Sequence, residues 1–154
     1  MGLWSTIKGW LNIGGVKIKI ENMNQRISRG GSQITGQAVL TSKSDKKVRK
    51  MVYKFLLKRT SGSGAEKKTK EFNIAQSVVD QPFEIKPGET KTLDFTITYA
   101  LEKSLKDLGG VLGAIGKIGA FAAKEKDEYY VVAEADVEGA AFNPSRWVEV
   151  TLVP

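Results

Sequence analysis

Two residue types are missing from this chain of 154 residues: it has no cysteine and no histidine. Without cysteine there are no disulfides, thiolate nucleophiles or zinc–thiolate sites, which suits a reducing compartment, so a cytoplasmic location is expected. Without histidine the chain lacks the usual general base and the commonest transition-metal ligand. Any hydrolytic chemistry would fall to carboxylates, lysine, serine or threonine, so the expectation is a protein that is not an enzyme. No cofactor and no metal site is expected either. No run of about 18 apolar residues occurs, which excludes a transmembrane helix by length. The N-terminus lacks the apolar core and small-residue cleavage site of a secretory signal.

Charge is plentiful but unevenly placed. Residues 1–70 carry 16 Lys and Arg against Glu21, Asp45 and Glu66, formally +13, whereas residues 71–154 carry 8 against 14 acids, formally −6. Such polarity offers a basic face to anionic lipid or nucleic acid. It equally fits two halves that interleave, so that their charges become neighbours in space. Both readings stand at this point.

Most of the chain alternates with the period of a strand. VKIKIE (16–21) turns Val16, Ile18 and Ile20 one way and Lys17, Lys19 and Glu21 the other. Residues 22–31 read as a polar connection. QITGQAVLTS (33–42) puts Ile34, Gly36, Ala38 and Leu40 on one face, with Gly36 at a close approach. KKVRKMVYKFLLKRT (46–60) fits a helix or a strand by period alone, but the flanking turns favour a strand. A hairpin of 48–59 with 67–74 then uses Ser61-Gly62-Ser63-Gly64 as its loop. In that strand Lys50, Lys54 and Lys58 share one face, while Arg49 and Arg59 project with the apolar set. Pro87-Gly88 marks a turn, with proline setting φ and glycine free to go positive. Leu93, Phe95, Ile97 and Tyr99 alternate with Thr92, Asp94, Thr96 and Thr98. Tyr129, Val131, Ala133, Ala135 and Val137 line one face of a later strand, with Glu134, Asp136 and Glu138 on its other face. Val148, Val150 and Leu152 close the chain.

Two segments depart from this pattern. Residues 1–14 place Leu3, Trp4, Ile7, Trp10 and Leu11 at helical spacing before Gly14-Gly15. Residues 101–126, LEKSLKDLGGVLGAIGKIGAFAAKEK, carry between 108 and 123 one charge, Lys117. As a helix this insert aligns Leu101, Leu105, Leu108, Leu112, Ile115 and either Ile118 or Phe121. Its interior glycines cost about 1 kcal/mol each against alanine, so such a helix needs close packing. It would either cap its own domain or engage lipid or a partner.

The pattern predicts a single all-β domain over 1–154, an immunoglobulin- or arrestin-like β-sandwich of about seven to eight strands. A short N-terminal helix and one inserted amphipathic helix complete the expected fold. Candidate interaction residues are Trp4, Trp10, Lys47, Lys50, Lys54, Lys58, Leu108, Leu112, Ile115 and Phe121. The acids Asp127, Glu128, Glu134, Asp136 and Glu138 read better as a solvated strand face than as a calcium site.

Three passages carry a family resemblance: GGSQITGQAVLTS (30–42), QPFEIKPGETKTLDFTITY (81–99) and EYYVVAEADVEGAAFNPSRWVEVTLV (128–153). Together with the amphipathic N-terminal stretch, they resemble the arrestin-like clan, above all the N-terminal sandwich of bacterial sporulation-control proteins. The resemblance implies a non-enzymatic adaptor or regulatory scaffold that binds a protein partner, with peripheral membrane contact as a further expectation. It transfers no site residue by residue. The rival expectation is an electrostatic binder of anionic lipid or nucleic acid through the basic first half. Nucleic acid is the less favoured of the two, because Tyr53 and Phe55 are better spent in the core than in base stacking.

Overall fold

The computed structural model describes residues 15–30, 33–62, 68–100 and 126–153. Within them nine strands form two sheets: β1 (Val16–Glu21), β2 (Arg26–Ser28), β3 (Gln33–Ser42), β4 (Lys46–Ser61), β5 (Lys68–Val79), β6 (Phe83–Ile85), β7 (Thr90–Thr98), β8 (Lys126–Val137) and β9 (Ser145–Val153). The smaller sheet has the order β1-β3-β7, and the larger β2-β9-β8-β4-β5, with β6 pairing the start of β4. The expected helices over 1–14 and 101–126 lie outside the described residues, except that Lys126, assigned to the insert, opens β8.

Period-2 alternation does what the sequence asks of it. Val16, Ile18, Ile34, Ala38, Leu40, Phe95 and Ile97 from the smaller sheet meet Met51, Tyr53, Phe55, Leu57, Val131, Ala133 and Val137 from the larger in one buried cluster. Aromatic pairs bridge the layers. Tyr53 stacks on Phe95 with centroids 4.6 Å apart, and Phe55 meets Tyr99 edge-on at 5.2 Å. The Pro87-Gly88 turn closes by a bond from the Glu89 amide to the Lys86 carbonyl at 3.0 Å, with Gly88 at φ 79°.

Four expectations need correction. There are nine described strands, more than the seven to eight expected. Residues 22–31 are not wholly a connection, because Arg26–Ser28 pairs in parallel with Thr151–Val153. This strand has a single buried side chain, Ile27, so it leaves no alternation to read. β5 runs on to Val79, past the expected end at 74. Finally, Arg49 does not project with the apolar set. The register of β4 on β8 steps from Val48↔Val137 to Lys50↔Asp136, which leaves Arg49 as the extra residue of a bulge. The bulge lets Val48 and Met51 both point inward and sends Arg49 out to Asp136.

Candidate interaction surface

The outer face of the larger sheet is built on β4 and β8, which pair antiparallel over almost their whole lengths. β4 is the basic strand of the first half and β8 the acidic strand of the second. Their pairing turns the charge asymmetry of the chain into a cross-strand ladder. At the end of the sheet, on the inward side of Leu57 and Tyr129 and not on the outer face, Arg59 Nε and Nη2 donate to the two carboxylate oxygens of Asp127 at 2.7 and 2.8 Å. Lys54 lies 3.8 Å from Glu134, Arg49 2.9 Å from Asp136 and Lys47 3.9 Å from Glu138. Lys50 is the register partner of Asp136 and Lys58 that of Glu128. Opposite charges directly across an antiparallel pair contribute a few tenths to about 1 kcal/mol each and disfavour a slipped register. Among the described residues no three acidic side chains converge on one point.

The four lysines singled out in the sequence, Lys47, Lys50, Lys54 and Lys58, therefore share one strand: Lys50 and Lys58 have acids as register partners on β8, and Lys54 and Lys47 reach Glu134 and Glu138 at 3.8 and 3.9 Å. The other six candidates, Trp4, Trp10, Leu108, Leu112, Ile115 and Phe121, lie outside the described residues.

Between the rungs the same face holds a second apolar cluster. Leu56, Tyr130 and Val132 are 4–7% exposed, with Trp147 of β9 packed against them. Tyr130 meets Trp147 edge-on at 5.5 Å and donates its hydroxyl to Glu128 at 2.7 Å. Burial and that bond both favour the neutral phenol and raise the Tyr130 pKa well above its ordinary value. A groove of about 280 Å³ crosses the cluster, floored by Leu56, Val132 and Trp147 and rimmed by Lys54, Glu71, Asn73 and Glu134. Alternation in β8 marked Val131 and Ala133 as inward but gave no reason for Tyr130 and Val132 to be apolar. Three large apolar side chains at outward positions of neighbouring strands were the available signal.

The groove opens toward β5, the last strand of the larger sheet among the described residues. In β5 the register on β4 steps from Phe55↔Ala75 to Leu56↔Asn73, so Ile74 is an extra residue that turns into the core. Beyond the bulge, Val78 and Val79 are exposed at 46% and 36%. The strand then stops at 80–82, where Pro82 interrupts pairing before β6.

The family described as SpoOM protein matches residues 9–140. Among solved structures the chain is similar to the sporulation control protein Spo0M from Bacillus subtilis, with 19% identity and a TM-score of 0.66. The match covers 92% of this chain and 51% of that one, so the chain spans about half the length of this solved relative. At that identity the likeness speaks for the fold. No curated protein matches the chain.

Proposed function

The chain belongs to the SpoOM protein family, and on that premise we propose that it is a non-enzymatic adaptor, a regulatory scaffold of the cytoplasm that docks a protein partner. The observation that carries this reading is that, among the described residues, β5 ends the larger sheet beside the outer-face groove and leaves Val78 and Val79 exposed. An edge strand presents unpaired backbone donors and acceptors, and natural sheets usually blunt such edges with charge, proline or a cover. β5 is blunted at its start by Lys68 and Lys70, but it ends in the exposed pair Val78 and Val79. The partner this edge fits is an extended segment that adds a strand antiparallel or parallel to β5. Its alternate side chains would lie beside Val78 on the outer face and toward the β5 rim of the groove at Glu71 and Asn73.

For the acids of β8, the non-enzymatic reading is supported by the partners they already hold. Asp127, Glu134, Asp136 and Glu138 each hold a cation of β4, and Glu128 accepts from Tyr130. Carboxylates engaged in this way are poor general bases.

The test is site-specific photo-crosslinking in the native host from a probe at Val78, with a control probe at Thr96 on the exposed face of the smaller sheet. A protein adduct formed from Val78 and not from Thr96 is expected. Adducts from Thr96 alone, or from neither position, would overturn the reading.

A further inference from the structure

The larger sheet carries its second apolar cluster on the outer face, and the charges around that cluster are unequal. Strand register sets four consecutive rows across β5, β4 and β8: Lys58 with Glu71 and Glu128, Leu56 with Asn73 and Tyr130, Lys54 with Gln76 and Val132, and Val52 with Val78 and Glu134. On β9, Glu149, Trp147 and Ser145 continue the last three rows. Within these rows the acids Glu71, Glu128, Glu134 and Glu149 stand against Lys54 and Lys58, formally −2. The rows on either side lean the other way, with Lys47, Arg49, Lys50 and Lys126 against Asp136 and Glu138, and with Asp80 just past the end of β5. The acid excess of this face is therefore local to the cluster.

Two of those acids are neighbours of Trp147. Glu134 lines the groove with it and lies 3.8 Å from Lys54, too far for a hydrogen bond. Glu149 is two residues along β9 on the same face, exposed, and in no ion pair among the described residues. Its charge reaches the cluster. After burial and the bond to and charge of Glu128, it is a further cause that keeps the Tyr130 phenol neutral.

We propose that the groove over Leu56, Val132 and Trp147 receives an arginine of a protein partner, its guanidinium stacked on the indole and held by Glu134 and Glu149. At about 280 Å³ the groove falls below the roughly 300–1,000 Å³ of small-molecule sites and suits one long side chain. Its apolar floor takes the aliphatic stem, the half-buried indole attracts a cation, and the carboxylates accept from the planar fork. Lysine, a strongly hydrated point charge, gains less from the ring. An acidic side chain would meet the local acid excess, and a metal ion finds no converging carboxylates among the described residues. The inference deepens the adaptor reading and rests on it only in taking a protein as the partner. The site is a different one, since Trp147 on β9 is separated from Val78 on β5 by β8 and β4.

The experiment is an NMR titration of the full chain with an acetylated, amidated pentapeptide in which two arginines flank a valine, and with counterparts carrying lysine, citrulline or glutamate in their place. The readout is the indole N–H resonance of Trp147, identified by its loss in Trp147→Phe. Two double variants accompany the wild type: Glu134→Gln/Glu149→Gln beside Trp147, and Asp136→Asn/Glu138→Gln at the far end of β8. Circular dichroism verifies that both are folded. The arginine peptide is expected to shift the resonance at millimolar concentration and the lysine peptide to bind about threefold more weakly. The citrulline and glutamate peptides should leave it in place. The first double variant should bind the arginine peptide about tenfold more weakly, at roughly threefold per carboxylate, with the second within about twofold of wild type. No shift with the arginine peptide, an equal shift with citrulline or lysine, a larger one with glutamate, or an equal loss in both double variants would overturn the proposal. This titration and the Val78 crosslink fail separately, because the titration needs no host partner and the crosslink needs no arginine.

Discussion

A Cβ added at Gly36 would lie 2.9 Å from Cζ of Phe95. The two residues are register partners in β3 and β7, and the Phe95 ring lies over the glycine while stacking on Tyr53 of the opposite sheet. Gly36 is thus the missing side chain that lets an aromatic pair bridge the layers. Gly36→Ala is predicted to destabilise the fold by about 1–3 kcal/mol through overpacking. Adding Phe95→Leu should return part of that loss, a coupling that urea denaturation of the double-mutant cycle would measure. Strictly additive losses would contradict the contact.

The rungs of the ladder should differ in worth. Arg59 and Asp127 are joined by two bonds, with side chains 16% and 32% exposed, whereas Lys47 and Glu138 sit 3.9 Å apart at 53% and 57%. Asp127→Asn is therefore predicted to cost about 1–2 kcal/mol and Glu138→Gln under about 0.5 kcal/mol. Thermal or chemical denaturation at low salt would check the order of the two. Equal effects would show that geometry does not matter here.

Alkaline pH should weaken the fold before it weakens the isolated side chains. Burial raises Tyr53 to about 12 and also raises Tyr99, Tyr129 and Tyr130 above the ordinary value of 10.0. Because the folded-state values are raised, stability is fully present below pH 10.0. It falls from there as the unfolded chain ionises first, by up to about 1.4 kcal/mol per pH unit for each tyrosine. The fall continues until the folded phenols ionise in turn, near pH 12 for Tyr53. Denaturant midpoints recorded from pH 8 to 11, followed by tyrosinate absorbance, would show it. A flat profile above pH 10 would count against buried phenols.

Val78→Lys separates docking from stability. Val78 is 46% exposed on an edge strand, so the charge should change stability by less than about 0.5 kcal/mol. It should also abolish the partner adduct, since edge lysines act against strand addition. An unchanged adduct would remove Val78 from the interface.

Legibility in the sequence followed from how much each element depended on its own alternation. β1 was readable to the residue, because Val16–Glu21 alternates without interruption, and Gly36 was readable as a close approach. β4 carried two periods at once, and its neighbours correctly decided for a strand. The bulges at Arg49 and Ile74 were hidden, because each is a relation between two strands and neither sequence alone records it. β2 was hidden for the opposite reason, being a single buried Ile27 held by the edge of β9. The resemblance to sporulation-control proteins was legible in turns and alternation, and the family match supports it. Of the candidate site, the lysines of β4 were visible but their acidic partners on β8 were not, since 68 residues separate Arg59 from Asp127. The apolar cluster of Leu56, Tyr130, Val132 and Trp147 came into view only with the pairing of three strands.

The most direct test of the account is hydrogen exchange of β5 in the complex captured through Val78. Strand addition predicts that amides of Lys68–Val79 slow on partner binding, while those of Val16–Glu21, at the edge of the smaller sheet, keep their rates. Unaltered exchange throughout β5 with the partner bound, and protection elsewhere, would contradict it.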